Sequence, residues 1–235
     1  MAKIENGKLT LKIASYNIAG GSYDKDLSNI AADIVNCGAD IVGIQEVDMF
    51  ADRSGNIDML GMIAEKAGFE YKLFVHAIDI KGGEYGTSII SKYPIVSSEI
   101  IPLKSYEGGP KKIEDRSVGK TVIDVLGHKV NFLNTHLAYE FTEAIIYHFD
   151  QVAEIVNEID SYIITADYNT RQFHYFDRFK GTRKANNSEK EVLSFPSGGI
   201  DNIVMTEDWE YSDVCLGPEG HSDHRMLYAT LEKKI

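Results

Sequence analysis

The sequence predicts a mixed α/β fold in which two packed sheets are flanked by helices. Three observations lead there. Apolar runs of strand length outnumber helical stripes. Some neighbouring runs are joined too tightly for a helical crossover; Leu126-Gly127-His128-Lys129 is such a join and reads as a hairpin turn. The helical stripes are amphipathic, so each helix has an apolar face with which to cover a sheet.

The elements follow in order. Leu11, Ile13 and Ser15 alternate with Lys12, Ala14 and Tyr16, the period of a strand, which ends near Asn17. Leu27, Ile30, Ala31, Ile34 and Val35 recur at helical spacing. Asp40 to Glu46 is a short apolar run, read as a buried strand. Ile57, Leu60, Ile63, Ala64 and Ala67 mark a second helix, with Gly68 as its C-cap. Strands are expected near 70–78, 86–91, 95–103, 120–126 and 129–136. Phe141, Ile145, Phe149, Val152, Val156 and Ile159 form a third helical stripe. Tyr162–Thr165, Ile200–Met205 and Met226–Leu231 complete the strands. No repeat, low-complexity tract or Pro/Gly/Ser linker interrupts the pattern, so residues 1–235 are expected to form one domain.

Composition narrows the function classes. With 43% hydrophobic residues the chain can bury a substantial core, and 13 tyrosines and 10 phenylalanines argue against disorder. Cys37 and Cys215 are too few for a disulfide framework and are read as free thiols. No apolar run reaches the roughly 18 residues of a membrane-spanning helix. Met1 to Thr10 is polar and lacks the apolar stretch of a signal peptide, which makes the cytoplasm the default expectation. The net charge of −12 does not indicate a nucleic-acid partner, because phosphate neutralisation usually leaves a basic footprint. One local exception is Arg171 to Lys190, where six basic residues interleave with aromatics. Such a strip could grip a phosphate backbone or could be a solvated loop with an apolar anchor.

The polar residues fall at telling positions. Asn17 and Glu46 end the first two strands, and Asn134 and His136 end a later one. Asp167 and Asn169 follow Tyr162–Thr165, Asp201 sits within Ile200–Met205, and Asp223 and His224 precede the last strand. Any one could be a turn or cap, but six strands delivering such groups imply a constructed site, since ligand sites collect at strand ends. Carboxylate and amide oxygens are hard ligands that suit Mg²⁺, Mn²⁺ or Ca²⁺, and no Cys/His spacing argues for zinc. An oxygen-bound divalent ion beside histidines suits phosphoryl transfer.

The segments ASYNIAGG (14–21), DIVGIQEVD (40–48), YGTSIISKYPI (85–95), FLNTHL (132–137), ADYNT (166–170), GGIDNIVM (198–205) and GHSDHRMLYATL (220–231) resemble the endonuclease/exonuclease/phosphatase superfamily, in its order and along the whole chain. The resemblance implies a four-layer α/β/β/α sandwich of the deoxyribonuclease I-like kind. It implies Glu46 as principal metal carboxylate, with Asn17 supporting it or the metal, and Asp223 binding or supporting metal. It implies Asp167 and Asn169 for orienting water and stabilising transition-state oxygens. His224 would be the general base or a phosphate contact, held in its tautomer by Asp201. The Thr-His-Leu form around His136 resembles the deoxyribonuclease I-like, sphingomyelinase-like and inositol-phosphatase-like branches. Glu84 looks like the carboxylate that orients His136, and Arg116 like a substrate-phosphate contact. Two carboxylate–imidazole pairs would then raise both histidine pKa values. Ala166, Tyr168 and His148 stand where the family more often has Gly, Phe and Arg; none of these is a catalytic position.

The implied activity is Mg²⁺-dependent hydrolysis of a phosphate ester, a phosphodiester for preference, by an activated water. A nuclease acting on nucleic acid, and an inactive binding module of the same fold, are the alternatives.

Overall fold

The computed structural model describes residues 1–235. In chain order the elements are β1 (Lys3–Glu5), β2 (Lys8–Asn17), α1 (Ser28–Cys37), β3 (Ile41–Met49), α2 (Met59–Ala67), β4 (Tyr71–Ile80), β5 (Gly83–Ser91) and β6 (Ile95–Leu103). Then come β7 (Arg116–Val125), β8 (His128–His136), α3 (Thr142–Val156), β9 (Tyr162–Asp167), β10 (Thr182–Lys184), β11 (Asp201–Thr206), β12 (Trp209–Leu216) and β13 (Leu227–Lys234). One sheet runs β12-β13-β2-β3-β5-β4, with β1 added beside β2; the other runs β10-β11-β9-β8-β7-β6.

Both sheets are mostly antiparallel, and each holds one parallel pair: β2 with β3, and β8 with β9. A parallel pair needs a long crossover, which α1 and α3 supply. Alternation then sorts the side chains into layers. Leu9, Leu11 and Ile13 of β2 point between the sheets, against Ile123, Phe132, Ile163 and Ile203. Ala14 and Tyr16 point outward, where α1 and α2 cover them with Ile30, Ile34, Leu60 and Ile63. On the far face, α3 lays Phe149, Val152 and Val156 over Leu133, Ile164 and Val204. The arrangement is the four-layer α/β/β/α sandwich of the deoxyribonuclease I-like fold. No helix is long and apolar enough to cross a membrane.

Polar stitches hold the sheets in register near the site. Asn134, fully buried, donates from Nδ2 to the carbonyls of Ile44 (3.0 Å) and Ser88 (2.9 Å). Its Oδ1 accepts from Gln45 at 2.7 Å and Thr165 at 2.9 Å. Such an amide is tolerable in a core only when its partners are met, as here. Gly43 permits the approach: a Cβ there would lie 2.4 Å from Asn134 Oδ1 and 2.0 Å from Thr165 Oγ1.

Of the two readings of residues 171–190, the structure supports the loop with an apolar anchor. Tyr175, Phe176 and Phe179 are buried against Phe149, while Arg171 pairs with Glu191 (2.7 Å) and Arg178 with Asp150 (2.5 Å). The segment's aromatics belong to the core, and two of its cations are already neutralised. The last helix also stops at Val156, short of Ile159, which is drawn into a turn through its N–H to the Val156 carbonyl.

Candidate active site

The two parallel pairs end side by side, which brings their polar termini together. Asn17 is the last residue of β2, and His136 and Asp167 are register partners at the ends of β8 and β9. Asn17 Nδ2 joins the two sheets, donating to Glu46 Oε1 at 2.9 Å and to Asp167 Oδ2 at 3.0 Å. Its Oδ1 accepts the Ala19 N–H at 3.0 Å. Asn17 therefore acts chiefly as an amide that orients two carboxylates.

Glu46 reaches this place through a break in strand periodicity. Ile44 and Val47 both pack in the outer cluster, which strict alternation forbids for residues three apart. The β3–β5 register shifts between them, and Glu46 takes φ +60°. The bulge re-aims its carboxylate toward the ends of the strands. A non-glycine residue in this region costs about 1–2 kcal/mol. Asn169, at φ +53°, is a second such residue. It is held by its N–H to Asp167 Oδ1 (2.9 Å) and its Nδ2 to the Leu137 carbonyl (2.9 Å). Strain of this kind persists where the surroundings over-determine it.

Two histidines flank Asp167. His136 Nε2 lies 3.4 Å and His224 Nε2 3.6 Å from Asp167 Oδ2. His224 Nδ1 is 2.8 Å from Asp201 Oδ2, the pairing expected from the sequence. Burial disfavours the charged form of His224, but Asp201, Asp167 and Asp223 outweigh it and raise the pKa to about 9. Asp167 is pushed up to about 7, first by burial and then by the charge of Asp201.

His136 is different, and here the sequence expectation is overturned. Glu84 opens β5 opposite Met49, half-exposed, with its carboxylate 3.9 Å from His76. It does not orient His136, because both ring nitrogens have other partners: Arg116 at 3.3 Å from Nδ1 and Asn169 Nδ2 at 3.0 Å from Nε2. A doubly protonated ring would set both N–H groups against donors. Burial first, then the charges of Arg116 and His224, hold its pKa well below the ordinary value, opposite to the expected rise. Arg116 itself is buried, 2.6 Å from Glu114 and 3.3 Å from His136 Nδ1, so its guanidinium is engaged by both.

Three residues escaped the sequence reading. Glu114 is the carboxylate at this end of the site; it stands two residues before Arg116, the spacing that puts side chains on one side of extended chain. Asp48, fully buried, takes a bidentate contact from Arg53 at 2.7 and 2.8 Å. Buried Asp33 of α1 accepts from Tyr16 Oη (3.1 Å) and lies 2.9 Å from His221 Nδ1, tying down the loop that carries Asp223 and His224. The same loop is anchored by Ser222 Oγ, which donates to the Asn17 carbonyl at 2.8 Å.

The donor set fits a hard divalent cation. Glu46 is half-buried and accepts one hydrogen bond, leaving a carboxylate oxygen for an ion, and Asp223 is exposed beside the Asn17 strand end. Ligand atoms of Asp167, Asp201 and His224 also lie within 4.8 Å of one another. An ion among those three would have to displace the Asp201–His224 hydrogen bond, so that group is better suited to handling protons.

The family model for the endonuclease/exonuclease/phosphatase family matches residues 14–224. No functionally curated protein matches the chain. Among solved structures, a family protein from Bacteroides thetaiotaomicron superposes with a TM-score of 0.74 at 18% identity, covering 96% of each chain. A mannosyl-6-phosphatase from the same organism gives 0.73 at 18% identity, over 94% of this chain and 99% of its own. D. rerio TDP2 complexed with single-strand DNA product gives 0.70 at 16% identity, over 94% and 98%. At these identities the structures establish the shared fold. With the family match running from the end of β2 to His224, this chain belongs to the endonuclease/exonuclease/phosphatase family and is a metal-dependent phosphoric ester hydrolase.

Proposed function

We propose that the protein uses Mg²⁺ to hydrolyse a small phosphate ester by in-line attack of water, and that Asp167 and the two histidines divide the proton work. The observation that carries this reading is the Asn17 bridge, which links the Glu46 carboxylate on one sheet to the Asp167–histidine cluster on the other. Glu46 and Asp223 would hold the ion, with Mn²⁺ or Ca²⁺ as chemically similar substitutes. When bound, the ion neutralises charge on the phosphate oxygens.

The remaining work falls to the chain. Asp167, oriented by Asn17 and the Asn169 N–H, accepts the proton of the attacking water; its raised pKa matches a base working near neutrality. His224, kept cationic by Asp201, offers its Nε2 proton to a phosphate or leaving-group oxygen. His136 stays neutral and fixes Asn169 beside the reacting centre. Asn169, whose side-chain amide is held by the Leu137 carbonyl and His136, positions Asp167 through its backbone N–H. The printed names of two structural neighbours, a mannosyl-6-phosphatase and TDP2 with a DNA product, are both compatible with phosphoester chemistry. A small substrate is favoured over a long nucleic acid because the net charge is −12 and two cations of the basic segment, Arg171 and Arg178, are already paired with carboxylates.

Glu46→Gln should lower Mg²⁺ affinity, measured by calorimetry, and activity together. Unchanged Mg²⁺ binding would remove Glu46 from the metal role. Failure to hydrolyse any member of a phosphoester panel with Mg²⁺ or Mn²⁺ would defeat the hydrolytic reading.

A further inference from the structure

Beside His224 lies a cleft of about 560 Å³ of whose lining the proposed chemistry uses Asp223 alone. That size is typical of a small-molecule site, about 300–1,000 Å³. Its two walls differ in character. One is apolar: Tyr23, Leu193, Phe195 and Pro196. The other is polar: Glu219, Asp223 and Arg225, with Ser222 at its base. Phe195 leads from the cleft to the reacting centre, its ring centroid 4.6 Å from that of His224 and tilted by 43°. Tyr23 and Leu193 are 57% and 53% exposed, so their apolar surface is open to solvent.

The charges restrict the occupant. Arg225 is the one cation on these walls, and it is already engaged by Glu219 at 3.2 Å and by the Gly217 carbonyl at 2.9 Å. With Asp223 given to the ion and Glu219 cancelling the guanidinium, these walls keep no free cation for a second phosphate, which argues against a polynucleotide or a polyphosphate in this cleft. A pyranose satisfies both walls: its C–H face packs on the aromatic and aliphatic side, and its hydroxyls can donate to the exposed Glu219 carboxylate.

Resting on the hydrolytic reading above, we propose that this cleft binds the sugar ring of a hexose phosphate, with the phosphate on the His224 side. Tyr23 and Leu193 are then specificity residues that touch the ring and leave the reacting atoms alone.

The test is steady-state kinetics with Mg²⁺ on hexose 6-phosphates, glycerol 3-phosphate, nucleoside monophosphates, and mono- and bis-p-nitrophenyl phosphate. Hexose phosphates should have the highest kcat/KM. Tyr23→Ala and Leu193→Ala should each raise KM for the hexose phosphate about ten-fold, with kcat within two-fold and kcat/KM on glycerol 3-phosphate unchanged. Both side chains are exposed, so the variants should fold. Preference for nucleotides, p-nitrophenyl esters or glycerol phosphate, or an unmoved KM in both variants, overturns the pocket assignment and leaves the hydrolytic reading standing. Inactivity on the whole panel defeats both.

Discussion

His136 and His224 approach the same oxygen of Asp167, at similar depth, and carry opposite electrostatics. His224 has Asp201 behind it, and its pKa is raised to about 9; His136 has Arg116 behind it, and its pKa is held far down. Both rings are nearly inaccessible, so burial penalises the charged form of each. The group behind the ring decides the outcome. In the mechanism we propose, this contrast makes one imidazole the proton donor and the other a neutral hydrogen-bond partner, with Asp167 as the base. A site with two equally cationic histidines would hold Asp167 ionised too firmly to accept a proton near neutral pH.

The comparison can be broken most directly at His224. His224→Ala should lower kcat by about 10²–10⁴-fold with little change in melting temperature, the usual scale for removing an acid–base group. A rise in KM alone would reduce His224 to a ground-state phosphate contact. His136→Ala should fall at the low end of that range, near 10². The double variant should lose less than the product of the two, because residues acting through one carboxylate are not independent; a multiplicative loss would separate their roles.

NMR titration of the ring resonances in metal-free protein sharpens the contrast without kinetics. The His224 ring should titrate near 9 and the His136 ring should remain neutral down to acid pH. Because the His224 folded pKa lies above its unfolded value of about 6.5, its stabilising pairing is complete below that value and lost as pH rises through about 9. Arg116→Met should move the His136 pKa upward; no movement would leave burial as the sole cause.

The smallest effect concerns His148, a third imidazole, which is fully buried on α3 and accepts the Ala138 N–H at 3.1 Å. Burial, then the charge of Arg116, lowers its pKa to about 4. A depressed folded pKa means stability is complete above about 6.5 and lost as pH falls toward about 4. Between pH 8 and pH 5 the loss is about 2 kcal/mol, from roughly 1.5 units at about 1.36 kcal/mol each. Urea unfolding should show this acid limb, and His148→Gln should flatten it. An unchanged limb in the variant would assign the acid sensitivity elsewhere.

Much of the fold was legible because burial imposes periodicity. The alternation in Leu11–Tyr16 and the stripe from Ile30 to Ile34 each report which face meets the core. The strand β12 was not legible. Its alternation is interrupted by a bulge between Ser212 and Cys215, with Asp213 at φ +51°, and it lies at a sheet edge where half its side chains meet solvent. The Asp201–His224 pair was anticipated from motif, and the structure forms it. The Glu84–His136 pair was not formed, because Glu84 lies near Tyr85 and Ser88 in sequence but on a hairpin facing His76 in space.

By itself, then, the sequence determined the layering, the strand ends at which polar groups collect, and the hard-oxygen and imidazole character of the site, because these depend on local periodicity and residue chemistry. Only the tertiary structure decided which carboxylate or guanidinium stands behind each histidine, and that a bulge turns Glu46 into the site. Those outcomes depend on contacts between residues as far apart as Asn17 and Asp167, and on the burial that magnifies each charge; neither is encoded in any local pattern.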